Sequence, residues 1–127
     1  MDTERSTIIE IGGEEYALLL TTKATKEIAG RYGGLENLGD KLMKSENFEM
    51  ALGEIVWLIT LLANQSILIH NLKNPDQTKA LLSEDVVELL TTPMDLAGFK
   101  TAITEALVKG TKRNVESEAD PKNAQVG

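Results

Sequence analysis

The sequence predicts a mostly α, bundle-like helical domain with a small N-terminal β-hairpin and a flexible C-terminal tail, and three observations predict it. First, apolar residues make up 42% of the 127 positions but aromatics only 4%. The interior must therefore be aliphatic, and Leu-rich, aromatic-poor interiors favour helices over β-sandwiches. Second, apolar residues recur at three-to-four-residue spacing in several stretches after Thr22. Third, two β-prone runs precede that periodicity, with a pair of glycines between them. A chain of this length builds one domain around one core. The domain is expected at 1–110 and the tail at 111–127.

Thr7-Ile8-Ile9-Glu10-Ile11 and Tyr16-Ala17-Leu18-Leu19-Leu20 flank Gly12-Gly13, the glycines a tight turn with positive φ requires, so a hairpin is expected over about 7–20. Two strands alone are marginal in water and must lean on helices or on another subunit. An exposed edge there would be a docking site for another chain. Thr21-Thr22 caps a first helix, about Lys23 to Tyr32, which Gly33-Gly34 ends. Leu35, Leu38, Leu42 and Met43 suggest a short second helix. Ser45 or Asn47 then caps a long one, about Phe48 to His70, whose apolar residues cover more than one face. Such a helix is the centre of its domain or part of a subunit contact.

Asn71 to Thr78 reads as a loop around Asn74-Pro75-Asp76. Ser83 caps a short helix, Glu84 to Leu90, with Glu84 and Asp85 at the positive end of its dipole. Thr92-Pro93-Met94-Asp95 sets a capping hydroxyl, a proline at the first helical position and an acid three residues after the cap. The helix it opens carries Leu96, Phe99, Ile103, Ala106 and Leu107 on one face and is expected to stop at Gly110. Gly98 within it is tolerated or marks a close helix crossing. From Thr111 onward two valines are the only larger apolar side chains, too few to offset the entropy of ordering.

The net charge is −7, and residues 1–110 hold all of the excess, 17 acids against 10 bases. An acidic body repels phosphate, which disfavours nucleic acid and anionic lipid as partners. With no cysteine, disulfides, thiol nucleophiles and Cys-ligated metals are excluded. Met1 to Arg5 lacks a signal-peptide pattern, and the apolar run Ile55–Ala63 is well short of the roughly 20 residues of a bilayer span. Cytoplasm is the expected compartment.

No catalytic apparatus is visible. His70, the one histidine, ends the long helix, where a cation suits the dipole, and no acid or nucleophile is paired with it. Glu46, Glu49 and Glu54, and again Glu84, Asp85 and Glu88, lie near helix starts without the alternating pattern of a calcium loop. Gly12-Gly13 and Gly33-Gly34 lack the Lys-Ser/Thr that a phosphate cradle needs. Phe48 and Trp57 read as core, and Arg31-Tyr32 as the end of a helix. No catalytic, cofactor-binding or metal-binding residue is expected, and no cofactor. The positive features are an oily helix, a hairpin edge, an acidic surface and a loose tail, which suit an interaction protein.

Two stretches carry a resemblance. Tyr16-Ala-Leu-Leu-Leu-Thr-Thr-Lys-Ala-Thr-Lys-Glu-Ile-Ala-Gly-Arg-Tyr-Gly-Gly-Leu runs from strand through helix to aromatic-Gly-Gly-Leu. Leu81-Leu82-Ser-Glu-Asp-Val-Val-Glu-Leu-Leu-Thr-Thr-Pro-Met precedes a helix ending Ala-Leu-Val-Lys-Gly at Gly110. Together, over about residues 7–110, they resemble the tail assembly chaperones of long-tailed bacteriophages and prophages. The resemblance implies a non-catalytic protein that coats the hydrophobic tape measure protein, keeps it soluble and helps recruit tail tube protein. It also implies self-association, in keeping with the homo-oligomer that the oily Phe48–Leu68 segment suggests, and in many members a longer form made by frameshifting. Trp57, Leu61 and Leu68 on the long helix, with Ile9 and Ile11 on the hairpin, are the candidate protein-binding residues, although core is the first reading for each. The competing reading is a generic oligomeric helical scaffold or regulatory protein-binding module.

Overall fold

The computed structural model describes residues 6–34, 37–38 and 48–119. Strands β1 (Ser6–Ile11) and β2 (Glu14–Leu19) form an antiparallel hairpin that pairs Ser6 with Leu19 and Ile11 with Glu14. Gly12 and Gly13 hold φ of 60° and 85°, the two positive values of a type I′ turn, whose twist matches that of the strands. Alternation sets the faces: Ile9, Ile11 and Leu18 are buried while Ile8 and Glu10 are exposed.

Four longer helices follow among the described residues, and with the two-stranded sheet they make the fold mostly α, as the sequence predicts. In α1 (Thr22–Tyr32) the Thr21 hydroxyl accepts a hydrogen bond from the Ala24 amide, and Gly33 ends the helix in the left-handed conformation, donating to the Ala29 carbonyl. Leu38 is fully buried in a helical turn; the rest of the short helix expected around Leu35–Met43, and the Ser45 or Asn47 cap, lie outside the described residues. The long helix α2 (Phe48–Lys73) runs three residues past the expected end and packs on β2, on α1 and on the two helices that follow. It is therefore the centre of the domain, with Ile55, Val56, Leu58, Ile59, Leu62 and Ala63 at 2% exposure or less.

Leu52–Lys73 is long and apolar enough to cross a membrane by length and composition, a longer stretch than the apolar run alone suggests. Within this fold it is a core helix whose buried polar side chains have internal partners. Gln65 donates to the Leu61 carbonyl and accepts from the Thr21 hydroxyl, while the Ser66 hydroxyl reaches the Ala17 carbonyl on β2.

Helix α3 (Glu84–Leu90) starts where the Ser83 hydroxyl accepts from the Val86 amide. Helix α4 (Pro93–Ala119) opens on a reciprocal capping box: the Asp95 amide donates to Thr92 Oγ1, and the Thr92 amide donates to Asp95 Oδ2. Leu96, Ile103 and Ala106 are buried on its inner face, with Phe99 and Leu107 packed beside them.

Gly110 does not stop α4. A glycine ends a helix by turning to positive φ, and Gly110 is not among the glycines that do so. It is buried, and a Cβ placed on it would lie 2.8 Å from Leu20 Cβ, so the missing side chain serves close approach instead. Residues 111–119 of the expected tail are thus helical, and 120–127 lie outside the described residues. Gly98 has open space around it and marks no crossing.

Candidate protein-binding surface

Three of the five residues singled out for partner contact are core. Ile9, Ile11 and Leu61 are 7%, 2% and 9% exposed. The period-two alternation of β1 turns both isoleucines toward the helices, and Leu61 joins the same apolar cluster. Core, the first reading for each of them, is where the structure places these three. Trp57 and Leu68 are half-buried, and Trp57 packs against the core; the Phe48 side chain lies outside the described residues.

Trp57 belongs to a cluster that joins α1 to α2. The Arg31 guanidinium lies 4.3 Å from the centre of the Trp57 ring, close enough for a cation–π contact. It also donates twice to Glu54, Nε to Oε1 and a terminal nitrogen to Oε2, both at 3.3 Å. The Tyr32 hydroxyl donates to the same Glu54 carboxylate, and its ring meets Trp57 edge-on, 6.0 Å between centres. Burial, and then the bond to Glu54, push the Tyr32 hydroxyl pKa well above its ordinary 10.0. Burial works against the Arg31 charge, but the bonds to Glu54 and Tyr32 outweigh it and raise that pKa too. The Arg31 and Glu54 charges pair, and the raised values keep Arg31 charged and the Tyr32 hydroxyl neutral at neutral pH. The cluster is a clasp between helices.

A second clasp fixes the chain between α2 and α3. Asn64 donates to the Leu82 carbonyl (2.9 Å) and accepts from its amide (2.8 Å). Asn71 treats Lys79 in the same way, at 3.0 and 2.8 Å. Next to it, His70 Nε2 meets the Gln77 carbonyl at 2.9 Å, so the histidine supports the loop. Residues 79–82, although not in regular secondary structure, are thereby held along the helix.

What that clasp presents is apolar. Of the large hydrophobic side chains that are exposed among the described residues, Leu81 (52%), Val86 (39%), Leu89 (83%), Leu90 (51%) and Met94 (82%) fall within one 14-residue segment. Only Val87 of α3 is buried. Leu81 and Val86 share a recess of about 700 Å3 with Tyr16 and Ala17 of β2. Leu90 lies against the hairpin turn, where a Cβ on Gly12 would be 2.9 Å from its Cδ1. Glu84, Asp85 and Glu88 stand exposed among these residues, and Glu14 and Glu15 border the recess from the hairpin. The sequence pattern of α3, a short capped helix, does not by itself show this surface. The available signal was Val86-Val87-Glu88-Leu89-Leu90, more aliphatic side chains than a two-turn helix buries on one side.

Among the described residues no group of three or more His, Asp or Glu side chains is placed to hold a metal. The arrangement therefore defines a mostly α domain with an N-terminal hairpin that presents an aliphatic surface within acidic surroundings. No protein-family model, no curated protein and no solved structure matches the chain.

Proposed function

We propose that this protein is a non-catalytic tail assembly chaperone of a long-tailed bacteriophage or prophage. It works in the bacterial cytoplasm, binding the tape measure protein, keeping it soluble and helping to recruit tail tube protein. The observation that carries the reading is the row of exposed aliphatic side chains from Leu81 to Leu90 on a chain of net charge −7. Apolar surface gathered in this way is what a protein uses to cover another protein's greasy surface, and excess charge keeps the complex in solution. The sequence resemblance over about residues 7–110 names the client. Self-association belongs to the same reading.

Co-expression with a tape measure protein from the same genome tests it. The expected outcome is a soluble, co-purifying complex; an aggregated tape measure protein with none of this chain attached rejects the reading. A generic helical scaffold or regulatory module would instead leave the tape measure protein insoluble and co-purify with unrelated partners.

A further inference from the structure

We propose that Leu81, Val86, Leu89 and Leu90 form the docking face for an amphipathic helix of another protein, one whose aliphatic stripe is flanked by lysine or arginine. This rests on the binding role proposed above and specifies its surface and the chemistry of the partner.

The face is contiguous. Val86, Leu89 and Leu90 recur at three- and four-residue spacing and so share one side of α3. Leu81 and Val86 line the same recess, and Leu90 reaches the hairpin turn. The face is also built in advance, because Asn64 and Asn71 fix the backbone that carries Leu81. A preformed surface loses little entropy on binding.

Charge selects the occupant. From Ala80 to Phe99 the chain has four acids, Glu84, Asp85, Glu88 and Asp95, and no lysine or arginine. Glu14 and Glu15 add acids across the recess, while Lys79 and His70 stand at its α2 side. A basic flank is attracted to this rim; an anionic lipid surface is repelled, and so is the same acidic rim on a second copy. A helix fits because several of the neighbouring backbone groups already have partners. Ser66 takes the Ala17 carbonyl, and Asn64 and Asn71 take Leu82 and Lys79. The surface thus offers side chains to a segment whose own backbone bonds are internally satisfied.

The test titrates the full, isotope-labelled chain with a designed helical peptide carrying a leucine stripe flanked by lysines, and with its twin in which glutamates replace the lysines. The lysine peptide should shift the amides of residues 81–90 and of Tyr16 and Ala17, and the glutamate peptide should bind about tenfold or more weaker. The double variant Glu84→Lys, Glu88→Lys should reverse that preference. Leu89→Ser, at a site 83% exposed, should keep the melting temperature and lose the binding. Equal binding of the two peptides, shifts confined to another face, or self-association abolished by Leu89→Ser would overturn the proposal. If the lysine peptide fails to bind while the chain still keeps a tape measure protein soluble, this face is rejected and the chaperone reading stands. If the peptide binds here and no tape measure protein is rescued, the face stands and the chaperone reading falls.

Discussion

The side-chain amide of Asn64 closes a two-bond ring with the backbone of Leu82, 18 residues further along the chain. Asn71 repeats the pattern on Lys79, and the two pairs fit because their spacings agree. Seven residues of α-helix rise about 10.5 Å, and three residues of extended chain span roughly 10 Å. Two asparagines on one helix face therefore act as a short ladder for a segment that has no strand partner.

Replacing Asn64 with alanine strands the half-buried amide and carbonyl of Leu82, and should cost about 1–2 kcal/mol of stability. Asn71→Ala should cost less, about 0.5–1 kcal/mol, because Lys79 is exposed and water can replace the side chain. Urea unfolding of both variants measures the difference; equal and negligible losses would mean that the ladder holds nothing.

Gly98 and Gly110 lie in the same helix and should respond in opposite directions to alanine. Gly98 has open space, so Gly98→Ala should add up to about 1 kcal/mol through helix propensity. At Gly110 the new methyl group meets Leu20 at 2.8 Å, and overpacking of about 1–3 kcal/mol should exceed that gain. Thermal melts of the two variants should therefore shift up and down respectively.

Tyr32 supplies a pH dependence whose sign follows from its raised pKa. Folding lifts the hydroxyl above its ordinary 10.0, so the folded chain keeps this proton after the unfolded chain has lost it. The associated stability is complete below pH 10.0 and is lost as the pH rises through the folded-state value. Stability should thus fall in alkali, and Tyr32→Phe should flatten that fall. Glu54→Gln should return the Tyr32 titration only part of the way, since burial is the larger cause. Tyrosinate absorbance reads both effects.

The capping box gives a local prediction. Thr92→Ala removes the acceptor for the Asp95 amide and should cost about 1 kcal/mol, while Thr92→Ser should restore most of it. Equilibrium unfolding of the alanine and serine variants decides the matter.

The features legible in the sequence were those whose cause lies within a few residues. Gly12-Gly13 specifies its turn, Gly33 its helix end, and Thr92 with Asp95 its helix start, because backbone conformation and capping bonds are local. Gly110 reads as a helix stop because glycine serves both helix ends and close packing contacts, and Leu20, which decides between them, lies 90 positions away. Arg31 and Tyr32 looked like a plain helix end, since Glu54 and Trp57, which engage them, sit on another helix. Ile9, Ile11 and Leu61 were recognisable as apolar, but only the packing of β1 and α2 decides that they face inward. The exposed face of α3 was missed for the converse reason: short amphipathic patterns show which residues are greasy, not how many find cover.

Lys109 donates from Nζ to the carbonyl of Ser6, 103 positions earlier, and α4 packs on β1. β1 is thus completed by a helix that begins only at Pro93. Until α4 is made, β1 lacks the cover that this helix supplies, so the hairpin is closed by a part of the chain far from it in sequence.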